Sequence, residues 1–224
     1  MALPALKICG LRQPAQAAAV AALGVEAIGV IGVASSPRYL PPEQRQELFA
    51  AVTARAPACQ GVLVVADPSD AELAQLVAGR GHQVLQLHGN ESPERCRELR
   101  SQLGVEIWKA LRIRAPEDLQ RAQAYGEAVD ALLLDAWVPD QLGGTGHSLP
   151  LDWLIDFQPP LPWWLAGGIR AETVPELLSR LQPDGLDASS GVENSPGEKN
   201  LARIVQLLAA MGRPPDRNKH RCQD

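Results

Sequence analysis

Short apolar runs alternate with helical segments along the chain, and this alternation constrains the fold more than any other feature. Eight runs are predicted strands: Leu6–Cys9, Ala27–Val33, Gly61–Val65, Val84–Leu87, Ile107–Ala110, Ala131–Asp135, Trp164–Ala166 and Leu186–Ala188. They are continuously apolar, as expected of strands in a parallel sheet that is covered on both faces. Eight strands that alternate with helices close into a (β/α)8 barrel more naturally than they form an open sheet.

The segments between these runs carry signals for the start and end of helices. Eight are predicted helices: Pro14–Leu23, Pro42–Ala54, Asp70–Ala78, Pro93–Leu103, Pro116–Tyr125, Pro150–Phe157, Ala171–Leu181 and Asn200–Met211. Proline or a capping residue opens several of them, and glycines follow several last turns. We therefore predict a single TIM-barrel domain over residues 1–211, with a doubly wound sheet as the alternative. Residues 212–224 are polar and proline-rich and are expected to form a flexible tail.

Composition excludes several classes of protein. The chain has 224 residues, of which 46% are hydrophobic, so it can bury the core of one barrel. Its net charge is −5 and its basic residues do not cluster, which removes the electrostatic case for a nucleic-acid partner. The apolar runs fall short of the ~20 residues that cross a bilayer, and the N-terminus lacks a signal-peptide layout. We therefore expect no membrane partner.

The cysteines indicate the redox compartment. Cys9, Cys59, Cys96 and Cys222 are widely separated and form no Cys-X-X-Cys pair. This pattern argues against a zinc site or a disulfide framework and is typical of a reducing compartment. We expect a cytoplasmic protein, either a monomer or a homodimer, that binds no metal.

Two strand–turn–helix units near the end of the chain predict an anion site. The strand ending at Ala166 is followed by Gly167-Gly168, and the strand ending at Ala188 is followed by Ser189-Ser190-Gly191. Small residues at strand exits let backbone N–H groups approach an anion closely, and a helix N-terminus adds favourable partial charge. Each turn alone could be an ordinary helix cap, but the two in tandem favour the phosphate site of a barrel enzyme.

Polar residues at the other strand exits extend the set of candidates. In a barrel, catalytic side chains lie at the C-terminal ends of the strands. The polar residues in these places are Lys7, Cys9, Arg38, Asp67, His88, Arg112 and Asp135.

Several of these residues belong to motifs that together resemble the phosphoribosylanthranilate isomerase family. The motifs are Lys7-Ile8-Cys9-Gly10, Ser36-Pro37-Arg38-Tyr39, Gln86-Leu87-His88-Gly89, Leu132-Leu133-Leu134-Asp135, Gly143-Gly144-Thr145-Gly146, Leu165-Ala166-Gly167-Gly168 and Asp187-Ala188-Ser189-Ser190-Gly191-Val192-Glu193. They follow the family's order and spacing from Lys7 to Lys199. The resemblance implies a cofactor-free enzyme of tryptophan biosynthesis. Such an enzyme converts N-(5-phosphoribosyl)anthranilate to 1-(2-carboxyphenylamino)-1-deoxyribulose 5-phosphate by an Amadori rearrangement.

The resemblance assigns the two catalytic roles. A general acid must protonate the ribose ring oxygen, and a general base on the other side of the sugar must remove the C2′ proton. Cys9 matches the family's base and Asp135 its acid. A thiol acts as a base only as thiolate, and Lys7, two residues away on the same face of the strand, is the candidate for the positive charge that favours it.

The resemblance also suggests how the substrate binds. Arg38 is the candidate for the anthranilate carboxylate, because its planar guanidinium can contact two oxygens at once. His88 is expected to hydrogen-bond the substrate or to orient its neighbours, and Lys7 is a further substrate-binding candidate. Taken alone, each residue has a structural explanation that accounts for it at least as well: a surface salt bridge for Arg38, a backbone-bonded histidine for His88, a core cysteine for Cys9 and a helix cap for Asp135.

The segment 137–149 is long for a barrel loop and carries Gly143, Gly144, Thr145 and Gly146, so we expect a lid that closes over substrate. Three features depart from the family's usual pattern. His147 replaces a lysine, Leu151 replaces a phenylalanine, and residues 32–36 replace an aromatic residue and a lysine. We expect these changes to affect substrate affinity and lid closure more than the chemistry.

Three rival functions share parts of this pattern. Another sugar-phosphate barrel enzyme would share the phosphate site. An epimerase would be expected to use paired Asp bases and a metal held by His, and the four His here are not so placed. An indole-glycerol-phosphate synthase would need a Lys acid and a Glu pair, which are absent from these strand ends. An isomerase that also serves histidine biosynthesis would have Asp where this chain has Cys9. A non-catalytic phosphate-binding barrel would be favoured if Cys9 or Asp135 were missing.

Overall fold

The eight predicted strands form a closed parallel barrel. The computed structural model describes residues 3–136 and 148–213. The barrel strands, neighbours in chain order with β1 also paired to β8, are β1 Ala5–Cys9, β2 Ala27–Ile31, β3 Gln60–Val65, β4 Val84–Leu87, β5 Glu106–Ile113, β6 Ala131–Ala136, β7 Trp163–Ala166 and β8 Gly185–Ala188. Each lies where a strand is predicted, and the (β/α)8 prediction is confirmed.

The outer layer contains fewer regular α-helices than predicted. The α-helices are α1 Pro14–Ala21, α2 Pro42–Arg55, α3 Pro93–Leu103, α4 Val174–Arg180 and α5 Leu201–Ala210. Three predicted helices are instead 3₁₀ segments: Asp70–Gln75, Pro116–Tyr125 and Leu151–Leu154. The first of these has no buried residue, so little packing stabilises a regular helix there.

Inward-facing side chains fill the barrel. They are apolar towards the amino ends of the strands and polar towards the carboxyl ends. Towards the amino ends of the strands, the rings of Trp108 and Trp164 stack with their centroids 4.7 Å apart. Gly185 makes room for them, since a Cβ there would lie 2.2 Å from a ring carbon of Trp164. The barrel is therefore closed at that end by aromatic packing. Further up, Lys7 is one of the largest fully buried side chains of the described residues, and it belongs to the site described below.

A short antiparallel hairpin follows β8 and was not predicted. It consists of β9 Glu193–Ser195 and β10 Glu198–Lys199. Strands this short and polar carry no apolar run, so hydrophobic periodicity could not reveal them.

The described part of the predicted tail begins in contact with the barrel. Arg213 donates hydrogen bonds to the Glu26 carboxylate and to the Gly24 carbonyl. Residues 214–224 lie outside the described residues, so the flexible tail remains a prediction. Among the described helices, none has both the length and the apolar character needed to cross a membrane.

Candidate active site

A cavity opens at the carboxyl ends of the barrel strands and holds about 660 Å³ of space continuous with solvent. Its lining includes the two predicted catalytic residues, Cys9 and Asp135, and two of the three predicted substrate-binding residues, Arg38 and His88. All five residues of the predicted phosphate turns also line it: Gly167, Gly168, Ser189, Ser190 and Gly191. The barrel therefore brings residues from both ends of the chain to one cavity. The predicted lid residues Gly143, Gly144, Thr145 and Gly146 lie outside the described residues.

Cys9 ends β1 and is 6% exposed, with its sulfur against β2. A Cβ at Gly29 would lie 2.6 Å from Sγ of Cys9, so glycine at that position makes room for the thiol. Burial raises the pKa of Cys9 above that of an ordinary thiol. The charges of Lys7 and Lys199 act in the opposite direction and favour the thiolate, but they do not outweigh burial.

Lys7 lies next to Cys9 and is shielded from solvent. Its side chain is fully buried, and its Nζ donates to Oδ2 of Asp187 at 2.8 Å and to Oε1 of Gln86 at 2.9 Å. Lys7 is not among the residues that line the cavity, and substrate binding by Lys7 stays a prediction. Burial by itself would lower the pKa of Lys7, but the Asp187 carboxylate and the Cys9 thiol raise it above its ordinary value. Lys7 is therefore a buried ammonium ion.

Arg38 reaches the cavity from the loop after β2, with its guanidinium already paired. Its Nε and Nη2 donate to the two carboxylate oxygens of Glu193 at 2.9 and 2.6 Å, and Nη1 takes no part in this pair. Lys199 donates to the same carboxylate at 2.6 Å. Burial by itself would raise the pKa of Glu193, but these partners lower it below its ordinary value. The hairpin β9–β10 therefore presents an ionised carboxylate that fixes the guanidinium.

Asp135 and His88 face each other near the barrel axis. Both are buried, and Nε2 of His88 lies 3.4 Å from Oδ2 of Asp135. That separation is within the range of an ion pair, but the angles do not make a hydrogen bond, and Nε2 has no hydrogen-bond partner in the part of the chain described. On the other side of the ring, Gln86 Nε2 lies 3.1 Å from Nδ1. Nε2 of His88 therefore faces the Asp135 carboxyl group, and a small rearrangement would bring the two within hydrogen-bonding range.

The two small-residue turns lie side by side at the rim. Gly167 and Gly168 both have positive φ, +87° and +66°, which favours glycine. Gly191 has a different constraint, because a Cβ there would lie 2.3 Å from the carbonyl oxygen of Ile169. The loops after β7 and β8 therefore touch through their backbones, which leaves a surface of main chain and hydroxyl groups. Ser189 connects this surface to β1 by donating from Oγ to the Cys9 carbonyl at 3.1 Å.

Four residues of the site were not assigned a role from the sequence: Gln86, Asp187, Glu193 and Lys199. The sequence did contain a signal for Gln86. It precedes His88 by two residues, so the two side chains are expected on the same face of β4 and next to each other. Asp187 could not be paired with Lys7 from the sequence, because they become neighbours only when β8 closes against β1.

Comparisons with known proteins agree with this geometry. The family model described as N-(5'phosphoribosyl)anthranilate (PRA) isomerase matches residues 6–210. A Synechocystis protein named N-(5'-phosphoribosyl)anthranilate isomerase is 47% identical over 207 residues, which cover 92% of this chain and 94% of that protein.

Solved structures show the same similarity. Phosphoribosyl anthranilate isomerase from Thermotoga maritima superposes with a TM-score of 0.83 at 25% identity, covering 94% of this chain and 99% of that one. A phosphoribosyl anthranilate isomerase in complex with reduced 1-(o-carboxyphenylamino)-1-deoxyribulose 5-phosphate has a TM-score of 0.77 at 27% identity, covering 94% and 100%. The chain therefore belongs to the N-(5'-phosphoribosyl)anthranilate isomerase family.

Proposed function

We propose that this chain performs the isomerase step of tryptophan biosynthesis, the conversion of N-(5'-phosphoribosyl)anthranilate to 1-(2-carboxyphenylamino)-1-deoxyribulose 5-phosphate, with Cys9 as general base and Asp135 as general acid. The observation that carries the assignment of roles is that both side chains line one cavity from well-separated strands, β1 and β6. A sugar between them would present opposite sides to the two groups, which is what the rearrangement requires.

Asp135 acts first in this scheme. Its carboxyl proton passes to the ribose ring oxygen, the bond from that oxygen to C1′ breaks, and the nitrogen lone pair forms the C1′=N bond of a Schiff base. Asp135 is then a carboxylate beside His88, which can donate to it. A hydrogen bond to a charged acceptor is about twice as strong as one to a neutral acceptor. The site therefore stabilises the charge that develops on the acid.

Cys9 completes the rearrangement. Its thiolate takes the proton from C2′, and the electron pair moves into the C1′–C2′ bond while the Schiff-base nitrogen is neutralised. The resulting enolamine tautomerises to the ketone. The buried ammonium of Lys7 and that of Lys199 supply the positive field that a thiolate needs in this position.

The two ends of the substrate match the two ends of the cavity. The phosphate is placed against Gly167, Gly168, Ser189, Ser190 and Gly191, the small residues that line the cavity in the loops after β7 and β8. The anthranilate carboxylate is placed at Arg38, whose orientation is fixed by Glu193. Anchoring both charged ends holds the sugar between acid and base.

A fluorescence assay of the purified protein with freshly prepared phosphoribosylanthranilate tests the proposal. We expect loss of the anthranilate-type fluorescence at the same rate with and without a chelator. Cys9→Ala and Asp135→Asn should each lower kcat by ~10²-fold or more with little change in KM. Near-normal turnover in either variant would remove that residue from the mechanism, and a chelator-sensitive reaction would contradict the scheme.

The cellular location and the oligomeric state of the protein are also part of the proposal. We place it in the cytoplasm, a location supported by Cys9, Cys59 and Cys96 all being free thiols. We expect either a monomer or a homodimer, which light scattering of the purified protein will distinguish.

A further inference from the structure

A line of hydrogen bonds runs from β1 through β4 towards the proposed acid on β6. Lys7 Nζ lies 2.9 Å from Oε1 of Gln86, and Nε2 of Gln86 lies 3.1 Å from Nδ1 of His88. His88 Nε2 then lies 3.4 Å from Oδ2 of Asp135. All four side chains are buried, so water has little opportunity to replace these partners.

The buried ammonium fixes the orientation of the Gln86 amide. An ammonium ion has three donors and no acceptor, so the amide atom that it contacts must be the oxygen. Lys7 is held in the charged form by the carboxylate of Asp187 at 2.8 Å. The amide nitrogen of Gln86 is therefore the atom that faces His88, and it can only donate.

The Gln86 amide in turn fixes the protonation state of the imidazole. Because Gln86 donates to Nδ1, that nitrogen must carry a lone pair, and a neutral ring then carries its proton on Nε2. The Nε2–H group is the one that faces Asp135. Among the described residues this N–H makes no hydrogen bond, and the Asp135 carboxyl group is the acceptor beside it.

We infer that Gln86 is a positioning residue that holds His88 in its Nε2–H tautomer, so that His88 donates to Asp135 as that side chain becomes a carboxylate. The inference rests on the proposed role of Asp135 as acid. In the opposite tautomer, Nε2 would present a lone pair and would accept the Asp135 proton itself. The proton would then be directed towards the histidine and away from the sugar.

The free protein can be examined directly by nuclear magnetic resonance. In ¹⁵N-labelled protein at neutral pH, we expect Nδ1 of His88 to have the shift of an unprotonated ring nitrogen and Nε2 that of a protonated one. The signals are assigned by their loss in His88→Gln. A protonated Nδ1 in the wild-type protein would overturn the inference, whatever the behaviour of any variant.

Gln86→Glu tests the consequence for catalysis. The glutamate keeps an acceptor for Lys7 but has no donor for Nδ1, so a proton should appear on Nδ1. We expect kcat to fall roughly 10- to 100-fold, with a much smaller change in KM. This range corresponds to the free energy that a hydrogen bond to a charged group contributes. An unchanged His88 spectrum together with unchanged kcat would overturn the inference.

Gln83→Glu is the matched control. Gln83 precedes the same strand at its other end, where Oε1 accepts from the Gly61 amide, so the glutamate keeps that bond and adds the same charge. We expect wild-type kcat and an unchanged His88 spectrum. An equal fall in kcat in both variants would show a general effect of charge and would overturn the inference.

A double-mutant cycle separates tautomer control from simple packing. In His88→Gln, the amide nitrogen can replace the Nε2–H donor, and an amide has no tautomers to select. The effect of Gln86→Glu on kcat should therefore largely disappear in the His88→Gln background. Additive effects would overturn the inference. Wild-type turnover in Asp135→Asn would instead refute the proposed acid while leaving the measured tautomer intact.

Discussion

Arg38 and Glu193 form a buried ion pair with two parallel contacts, although 155 residues separate them in the chain. Nη2 of Arg38 lies 2.6 Å from Oε2 of Glu193, and the side chains are 10% and 4% exposed. A guanidinium held in this way loses little further freedom when it binds a carboxylate. The pair is therefore a preformed part of the proposed anthranilate site.

Loss of the Glu193 charge should weaken substrate binding more than it slows the chemistry. In Glu193→Gln, Arg38 and Lys199 both lose their charged partner, so the guanidinium is less firmly oriented. We expect KM to rise roughly tenfold, with a smaller change in kcat. A roughly tenfold change corresponds to the lower end of the free energy that a hydrogen bond to a charged group contributes. Steady-state kinetics measure both.

The exposed pair Arg170–Glu172, 3.9 Å apart, provides the control. Glu172→Gln should leave KM unchanged because this pair is largely solvated. A Glu193→Gln enzyme with wild-type KM would show that Arg38 does not depend on Glu193 for substrate binding.

The pH dependence of Cys9 reactivity follows from its raised pKa. The thiolate is the reactive form, so alkylation by iodoacetamide should speed up as pH rises, with a midpoint above the ~8.5 of a free thiol. In Lys7→Met the favourable charge is lost, so the midpoint should move to still higher pH. Mass spectrometry of the Cys9 peptide follows the reaction.

Cys96 and Cys59 are internal controls for this measurement. Burial raises the pKa of Cys96 to about 12 and that of Cys59 to about 11, so neither should react near neutral pH. A Cys9 midpoint below that of a free thiol, or one that Lys7→Met leaves in place, would contradict this account of the thiol.

Gly168→Asp should disrupt phosphate binding through charge. Gly168 has φ +66°, a region that Asn and Asp tolerate better than other non-glycine residues, so Gly168→Asn is a nearly isosteric control. We expect Gly168→Asp to weaken inhibition by inorganic phosphate at least tenfold relative to Gly168→Asn, and less so at high salt. Equal inhibition constants in the two variants would place the phosphate elsewhere.

A further buried ion pair, Lys109–Glu91, should be important for stability. Lys109 Nζ donates to Oε2 of Glu91 at 2.9 Å and to the carbonyls of Gly89 and Ala110, with both charged side chains 1% exposed. Lys109→Met leaves the Glu91 charge buried without its partner, so we expect a loss of about 3–5 kcal/mol in the free energy of unfolding. Urea denaturation measures the change.

The exposed pair Arg97–Glu94 is the reference for that measurement. Its nitrogen and oxygen are 3.5 Å apart and both side chains are largely solvated. Arg97→Met should change the free energy of unfolding by less than about 1 kcal/mol. If Lys109→Met were equally mild, the buried pair would contribute nothing beyond its solvated counterpart.

The strands of the barrel were predictable because their signal is local. Eight short apolar runs gave eight strands, and Val84–Leu87 has the same bounds in sequence and structure. The helices were less predictable, as at Asp70–Gln75, because whether a segment forms a regular helix depends on what it packs against. The tertiary context also determined the β9–β10 hairpin, which has too few residues for a periodic pattern.

The sequence by itself determined which chemical groups reach the mouth of the barrel. Cys9 is the last residue of β1 and Asp135 the last but one of β6, and in a parallel barrel all strand ends meet at one face. Only the tertiary structure decided how those groups are supported. Lys7 is the buried partner of Asp187, 180 residues away, and Gln86 links Lys7 to His88. The contact between Lys7 and Asp187 forms only when β8 pairs with β1. A local sequence pattern does not predict that pairing, because the two strands lie at opposite ends of the chain.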